Sequence, residues 1–278
     1  MDQRLLRVSL IIGIVWKSNQ RNLYSVRTII SGTWSAVLTE LIDFLYPPRC
    51  AGCGCRLAPG KNLRVCSACL ARAEPLPAPL CIVCGGAVES AATGAARCAR
   101  CIAHPPHFRR ARAVARYRAS AEDDPRSLPA LLRRHKYGLD QAAGRALAEY
   151  LGADLPIDRE AIDLIVPVPL HRARLWWRGF NQAAIMAEEI SRRLGLALDT
   201  TSLVRSRATA AQTARDHDAR QRNVRRAFAV TRADRVAGRS ILLIDDVMTT
   251  GATADECARV LLAAGARSVD VFTLARVL

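Results

Sequence analysis

The sequence predicts an α/β protein: a mainly parallel sheet with flanking helices, preceded by a small double zinc-ribbon module. Two observations carry this. From residue 163 onward, apolar runs of strand length alternate with amphipathic stretches of helix length, the pattern of a parallel sheet covered on both faces. Between Cys50 and Cys101, eight cysteines stand as four C-x-x-C pairs, the spacing of metal knuckles. The expected organisation is an extension over residues 1–33, an amphipathic helix over 34–49, the double zinc ribbon over 50–103 and the α/β domain over 104–278.

Residues 1–33 show no sustained period, and no fold is assigned to them. The apolar stretch "VSLIIGIVW" at residues 8–16 is far shorter than the roughly 20 residues a membrane span needs. It reads as part of a disordered extension or a start codon placed too early, with a targeting or interfacial peptide as the other reading. Trp34, Val37, Leu38, Leu41, Ile42 and Leu45 then recur at helical spacing until Pro47 and Pro48 end the pattern. Residues 104–118 are arginine-rich, and their end, "ARAVARYR", alternates like a strand. A helix follows, with Asp124 as its expected cap and Pro125 in its first position. A second helix is expected from Asp140. "DLIVPVPL" is a buried strand that stops at Pro167, and "NQAAIMAEEISRRLG" a helix closed by Gly195. Residues 202–239 read as an arginine-rich loop with a short helix. "SILLID" is a strand, "ATADECARVLLAAGA" a helix ended by Gly265, and "SVDVFTLARV" the last strand.

The cysteine pairs are Cys50/Cys53, Cys66/Cys69, Cys81/Cys84 and Cys98/Cys101. A two-residue gap lets both thiolates of a knuckle reach one tetrahedral Zn²⁺. Gly54, Gly85 and Gly86 stand where such a knuckle turns. The simplest grouping is two successive ribbons of four cysteines, each a closed and therefore structural site. Redox dithiols are the competing reading. Cys55 could serve as an alternative ligand, and Cys257, among apolar helix neighbours, reads as a core residue.

The formal net charge is +16, which invites a nucleic-acid partner. Yet all basic residues except Lys17, Lys61 and Lys136 are arginine. So general a bias reads as coding preference as much as selection for phosphate contacts. Lys136 therefore stands out as a place where an ammonium is wanted, and it is a candidate phosphate contact.

The chemistry concentrates in "ILLIDDVMTTGAT", residues 241–253. The strand should deliver Asp245 and Asp246 to the carboxyl edge of the sheet, where open α/β folds bind ligands. The turn with Thr249, Thr250, Gly251 and Thr253 leads into a helix N-terminus, which suits a phosphate. Carboxylates repel a phosphate, so they must face another part of the ligand: ribose hydroxyls, a metal or a developing cation. A phosphorylated sugar satisfies both halves. No G-x-x-x-x-G-K-[ST] is present, which excludes a Walker-type site.

Apolar residues, two acids and T-T-G-x-T resemble the phosphoribosyl-pyrophosphate (PRPP) signature of type I phosphoribosyltransferases. "HKYG" (135–138), "VPVPL" (166–170), "RGFNQA" (178–183), "LVRSRATAAQT" (203–213) and "RQRNVRRAF" (220–228) resemble the ComF family of competence-associated proteins. That family joins a double zinc ribbon to a phosphoribosyltransferase-like domain. The resemblance spans about residues 34–278 and implies the type I fold. It implies that Asp245 and Asp246 hold the ribose hydroxyls, and that Thr249, Thr250, Gly251 and Thr253 cradle the 5′-phosphate. Arg174, Arg178 and Asn181 fall near the pyrophosphate position, with Mg²⁺ arriving on the pyrophosphate. Trp176 and Trp177 depart from a stretch that is often basic in the family. Packing under the loop is the favoured reading for them, with stacking on a base as the other. His135 and His171 read as structural or phosphate-contacting.

Two functions follow from the resemblance, both cytoplasmic and without a membrane span. One is an enzyme that transfers phosphoribosyl to an acceptor with loss of pyrophosphate. The other is a non-catalytic PRPP sensor that handles single-stranded DNA beside other DNA-uptake proteins. A zinc-ribbon adaptor for partner proteins is a third possibility.

Overall fold

A computed structural model describes residues 47–58, 64–88, 96–137, 146–147, 150, 155–208 and 222–278. The readings for residues 1–33, for the helix before Pro47 and for nearly all of the helix from Asp140 lie outside these.

In chain order the elements are α1 (Ser67–Leu70), α2 (Ala99–Ala103), β1 (Arg110–Tyr117), α3 (Leu128–Tyr137), β2 (Leu164–Pro167), α4 (Arg172–Arg178), α5 (Gln182–Leu194), β3 (Ala197–Leu198), β4 (Leu203–Arg205), β5 (Phe228–Val230), α6 (Ala233–Val236), β6 (Ser240–Met248), α7 (Ala252–Ala263) and β7 (Ser268–Val277). Five strands form one sheet in the order β1-β7-β6-β2-β3, parallel at every pairing. β4 and β5 pair antiparallel as a separate ribbon.

The continuous apolar run in β6 has a direct cause: both its faces are buried. Leu242 and Ile244 pack with Met186, Ala187 and Ile190 of α5. Ile241 and Leu243 pack on the other face with Cys257, Ala258 and Leu261 of α7. Cys257 is fully buried there, as its apolar neighbours imply. Helix ends follow local chemistry. Asn181 caps α5 by accepting from Ala183 N at 3.1 Å, and Gly195 closes it in the left-handed region.

Two expectations change. α3 starts at Leu128, not at Pro125. Ser127 Oγ, not Asp124, accepts from Ala130 N at 3.1 Å. Asp124 instead closes the preceding turn by accepting from Arg126 N at 3.0 Å, and Pro129 falls in the first turn of the helix, where its missing N–H costs nothing. The arginine-rich 202–239 stretch holds not only a short helix but also β4 and β5.

The cysteine module wraps the edge of the sheet. Its first half packs on the α5 face through Cys50, Leu57, Val65 and Cys69. Its second half packs on the α7 face through Cys81, Cys84, Cys101 and Phe108. Both halves bond to the outer edge of β1: Ala111 N donates to Val83 O at 2.6 Å, and Arg116 N to Glu74 O at 2.7 Å. An otherwise open strand edge is thereby covered. Gly85 is fixed by this contact. Its φ is +65°, and a Cβ there would stand 2.7 Å from Ala111 O.

Candidate ligand cleft and metal centres

The eight paired cysteines fall into two sets, Cys50/Cys53/Cys66/Cys69 and Cys81/Cys84/Cys98/Cys101, with the sulfurs of each set within 4.8 Å of one another. The Cys50–Cys69, Cys53–Cys66 and Cys84–Cys98 sulfurs are 3.7 Å apart. A zinc tetrahedron with bonds of ~2.3 Å has edges of about 3.8 Å. The donor set and its spacing therefore fit structural zinc in both ribbons. Cys55 stands outside the first tetrad.

The sheet's carboxyl edge forms two adjoining cavities. The larger, about 460 Å³, is lined by Val168–Leu170, Arg174, Trp177, Arg178, Asn181, Arg205, Asp245, Asp246 and Thr253 among others. The smaller, about 250 Å³, is lined by Tyr117, Asp245, residues 247–254, Thr273 and Val277. They share Asp245 and Thr253. The acid pair, the threonine turn and Arg174, Arg178 and Asn181 thus converge. Lys136 lies on the last turn of α3, and its side chain is outside what the structure describes.

β6 runs past Ile244 to Met248 and carries both acids within the strand. Its alternation slips across them. Leu242, Ile244 and Val247 join one core cluster, whereas Ile241, Leu243 and Met248 join the other. The carboxylates support this irregularity: Asp246 N donates to Asp245 Oδ1 at 2.9 Å, and Val247 N to Asp246 Oδ1 at 2.7 Å. Both acids consequently line one cavity, where a regular strand would send them to opposite faces.

The turn ends in an uncapped helix. Gly251 occupies the cap position of α7 with φ +83°, and no side chain caps the helix. A Cβ on Gly251 would stand 2.6 Å from Met248 Cε, a flexible side-chain end that can shift, so it is the left-handed conformation that requires glycine. Ala252 N donates to Thr250 Oγ1 at 3.4 Å, and the N–H groups at the start of this 12-residue helix form an anion-binding end.

Across the cleft, Asn181 Nδ2 donates to Val168 O at 3.0 Å. Asn181 therefore ties the loop after β2 to the start of α5. His171 caps α4 by accepting from Ala173 N at 3.3 Å, which gives it a structural part. Arg205 was not singled out by sequence, since one arginine in so arginine-rich a chain carries little signal. It lies on β4 with its guanidinium 5.3 Å from the Phe228 ring centre. Burial holds its pKa below the usual arginine value, Arg174 adds to this, and Asp245 opposes it. Tyr117 was also missed. Burial raises its pKa, as does its hydrogen bond to Glu122 Oε1 at 2.6 Å, so it stays a neutral phenol.

The expectation that Trp176 and Trp177 pack under the loop is overturned. Trp176 is 89% exposed and Trp177 58% exposed. α4 is only two turns long and its body stands clear of the core, so no described residue covers its outer face.

The double zinc ribbon domain family matches residues 41–102, and the phosphoribosyl transferase domain family matches residues 181–278. The chain is 35% identical over 237 residues to the DNA utilization protein YhgH of Escherichia coli O157:H7, covering 84% of this chain and 98% of that one. It is 28% identical to competence protein F of Haemophilus influenzae, covering 82% and 96%. It is 35% identical to competence protein ComFC of Bacillus subtilis, covering 41% and 44%. Among solved structures, a glutamine PRPP amidotransferase from B. subtilis matches 51% of this chain and 26% of that one, at 18% identity and a TM-score of 0.31.

Proposed function

The chain belongs to the ComF family of competence and DNA-utilization proteins, and on that premise we propose that its phosphoribosyltransferase-like domain binds PRPP in the cytoplasm, in the service of using incoming DNA. The observation that supports this most is the junction of the two cavities at Asp245 and Thr253. One ligand lying across that junction meets an anion-binding helix end, two carboxylates and two arginines in sequence. PRPP carries the matching groups in the same order: a 5′-phosphate, ribose hydroxyls and a pyrophosphate.

Asp245 and Asp246 accept hydrogen bonds from the ribose 2′- and 3′-hydroxyls. Thr249, Thr250 and Thr253 and the N–H groups around Gly251 hold the 5′-phosphate. Arg174 and Arg178, with Arg205 behind them, face the pyrophosphate. Loss of pyrophosphate from the anomeric carbon would leave an oxocarbenium-like centre, which a carboxylate already in place stabilises without reorganisation. The two carboxylates are hard oxygen donors of the kind Mg²⁺ takes, and Mg²⁺ bound with pyrophosphate would neutralise the leaving group.

A second reading, favoured by the exposed Trp176 and Trp177 between Arg174 and Arg178, keeps PRPP as a bound signal. In it, α4 serves as a stacking surface for single-stranded DNA. Zinc-loaded chain incubated with PRPP, Mg²⁺ and a panel of free bases separates the two. Pyrophosphate release supports transfer. Binding without release, together with single-strand affinity, supports the sensor. Absence of PRPP binding removes both.

A further inference from the structure

The second zinc ribbon touches the threonine turn itself. Arg100 lies between Cys98 and Cys101, two sulfurs of the second tetrad. A methyl built on Gly251 would stand 3.7 Å from Arg100 Nη2 and 3.9 Å from Phe108 Cε1. Arg100 is half-buried, and among the described residues no acceptor takes its guanidinium. A chain segment otherwise devoted to a structural metal thus brings a cation to the loop at the start of α7.

Arg276 explains how that segment is held. It lies on β7, in register with Met248 at the mouth of the loop, and is 5% exposed. Its Nε and Nη1 are buried without a hydrogen-bond acceptor, a costly state for a guanidinium unless opposite charge is near. The charge comes from the ribbon. A Cβ on Gly86 would stand 3.1 Å from Arg276 Nη2 and 3.4 Å from Cys84 Sγ, so Gly86 leaves the space in which the two approach. A tetrathiolate zinc centre keeps a net negative charge, which suits a buried arginine beside it. Among the described residues the first tetrad has no buried arginine with unpaired nitrogens set against it.

We propose that the second ribbon is part of the phosphate site: Arg100 is a phosphate-binding residue of the 249–253 loop, and Arg276 is the positioning residue that locks the ribbon and Arg100 against it. The proposal rests on the reading of that loop as the seat of a sugar phosphate. It makes the second metal centre matter to ligand binding, with the first serving stability alone.

Ribose 5-phosphate probes the loop by itself, inorganic pyrophosphate probes the opposite side of the cleft, and PRPP spans both. Affinities for the three are measured on zinc-loaded wild type, Arg100→Ala, Arg100→Lys and Arg276→Met, with zinc content and the rate of zinc release to a chelator. Arg100→Ala is expected to weaken ribose 5-phosphate and PRPP about tenfold or more, the loss of one charge-assisted contact. Pyrophosphate affinity and zinc content stay unchanged, and Arg100→Lys recovers part of the loss. Arg276→Met is expected to release zinc faster from one site and to weaken ribose 5-phosphate together with it. Wild-type ribose 5-phosphate affinity in Arg100→Ala would overturn the proposal; if Asp245→Asn/Asp246→Asn still loses PRPP, the PRPP reading stands without it. Loss of zinc from Arg100→Ala would make Arg100 structural and also overturn it. Unaltered zinc release and sugar-phosphate affinity in Arg276→Met would remove the positioning residue. A wild type that binds neither PRPP nor ribose 5-phosphate sinks both readings.

Discussion

Gly251 concentrates the residue-scale argument. Its φ of +83° is a left-handed conformation that a side chain adopts only under strain, and a Cβ there would also push Met248 Cε aside. Gly251→Ala should cost about 1–3 kcal/mol and weaken sugar-phosphate binding, read from thermal unfolding and a ribose 5-phosphate titration. The acids, the threonines and this glycine were legible because they are contiguous, and their order alone implies a strand edge feeding a helix N-terminus. Arg205 and Tyr117 were not. They reach the cleft from β4 and β1 through tertiary packing, and nothing local distinguishes them. Trp176 and Trp177 misled for a different reason. Large aromatic residues are usually buried, and only their position on the outer face of a two-turn helix exposes them. If that face stacks bases, Trp176→Ala, which removes the 89% exposed ring and leaves the cavity-lining Trp177 in place, should lower single-strand DNA affinity about tenfold and leave PRPP affinity unchanged, as measured by fluorescence anisotropy and calorimetry.

Elements of the sheet were largely readable, because a strand buried on both faces must be continuously apolar and an amphipathic helix must repeat. β4 and β5 were not: each is three residues long, below any recognisable period. The turn leading into β4 has its own electrostatic support. Burial alone would raise the Asp199 pKa. The Ser202 hydroxyl, the Thr201 and Ser202 N–H groups and the Thr201 hydroxyl all donate to it and together lower it to about 2. A depressed carboxyl stabilises the fold fully above its unfolded value, and that stability is lost as pH falls from about 4 towards about 2. Asp199→Asn should therefore destabilise at neutral pH, with the difference from wild type shrinking across that window in denaturant titrations. The ribbons supply another element-scale expectation. About fifty residues with few large apolar side chains cannot fold alone, so stripping zinc should unfold the module and uncover the β1 edge. Hydrogen exchange at Ala111 and Arg116 would then rise, and metal analysis before stripping should give two zinc ions per chain. Retained protection without metal would contradict this.

At the scale of the whole molecule, the ribbons read as an appendage in the sequence but grip both faces of the sheet in the fold. Cysteine spacing announces the metal centres, whereas the side of the sheet each one occupies depends on contacts more than a hundred residues apart. The same limit applies to the ligand cleft, whose two halves come from separate cavities joined at Asp245 and Thr253. The central claim is that one PRPP spans that junction. Calorimetric titration of zinc-loaded chain with PRPP and Mg²⁺, beside Asp245→Asn/Asp246→Asn with the same zinc content, tests it most directly. The account predicts saturable binding of about one PRPP per chain, lost in the double variant by the disappearance of two charged acceptors. A wild type that takes up no PRPP, or a double variant that binds it as well as wild type, would contradict it.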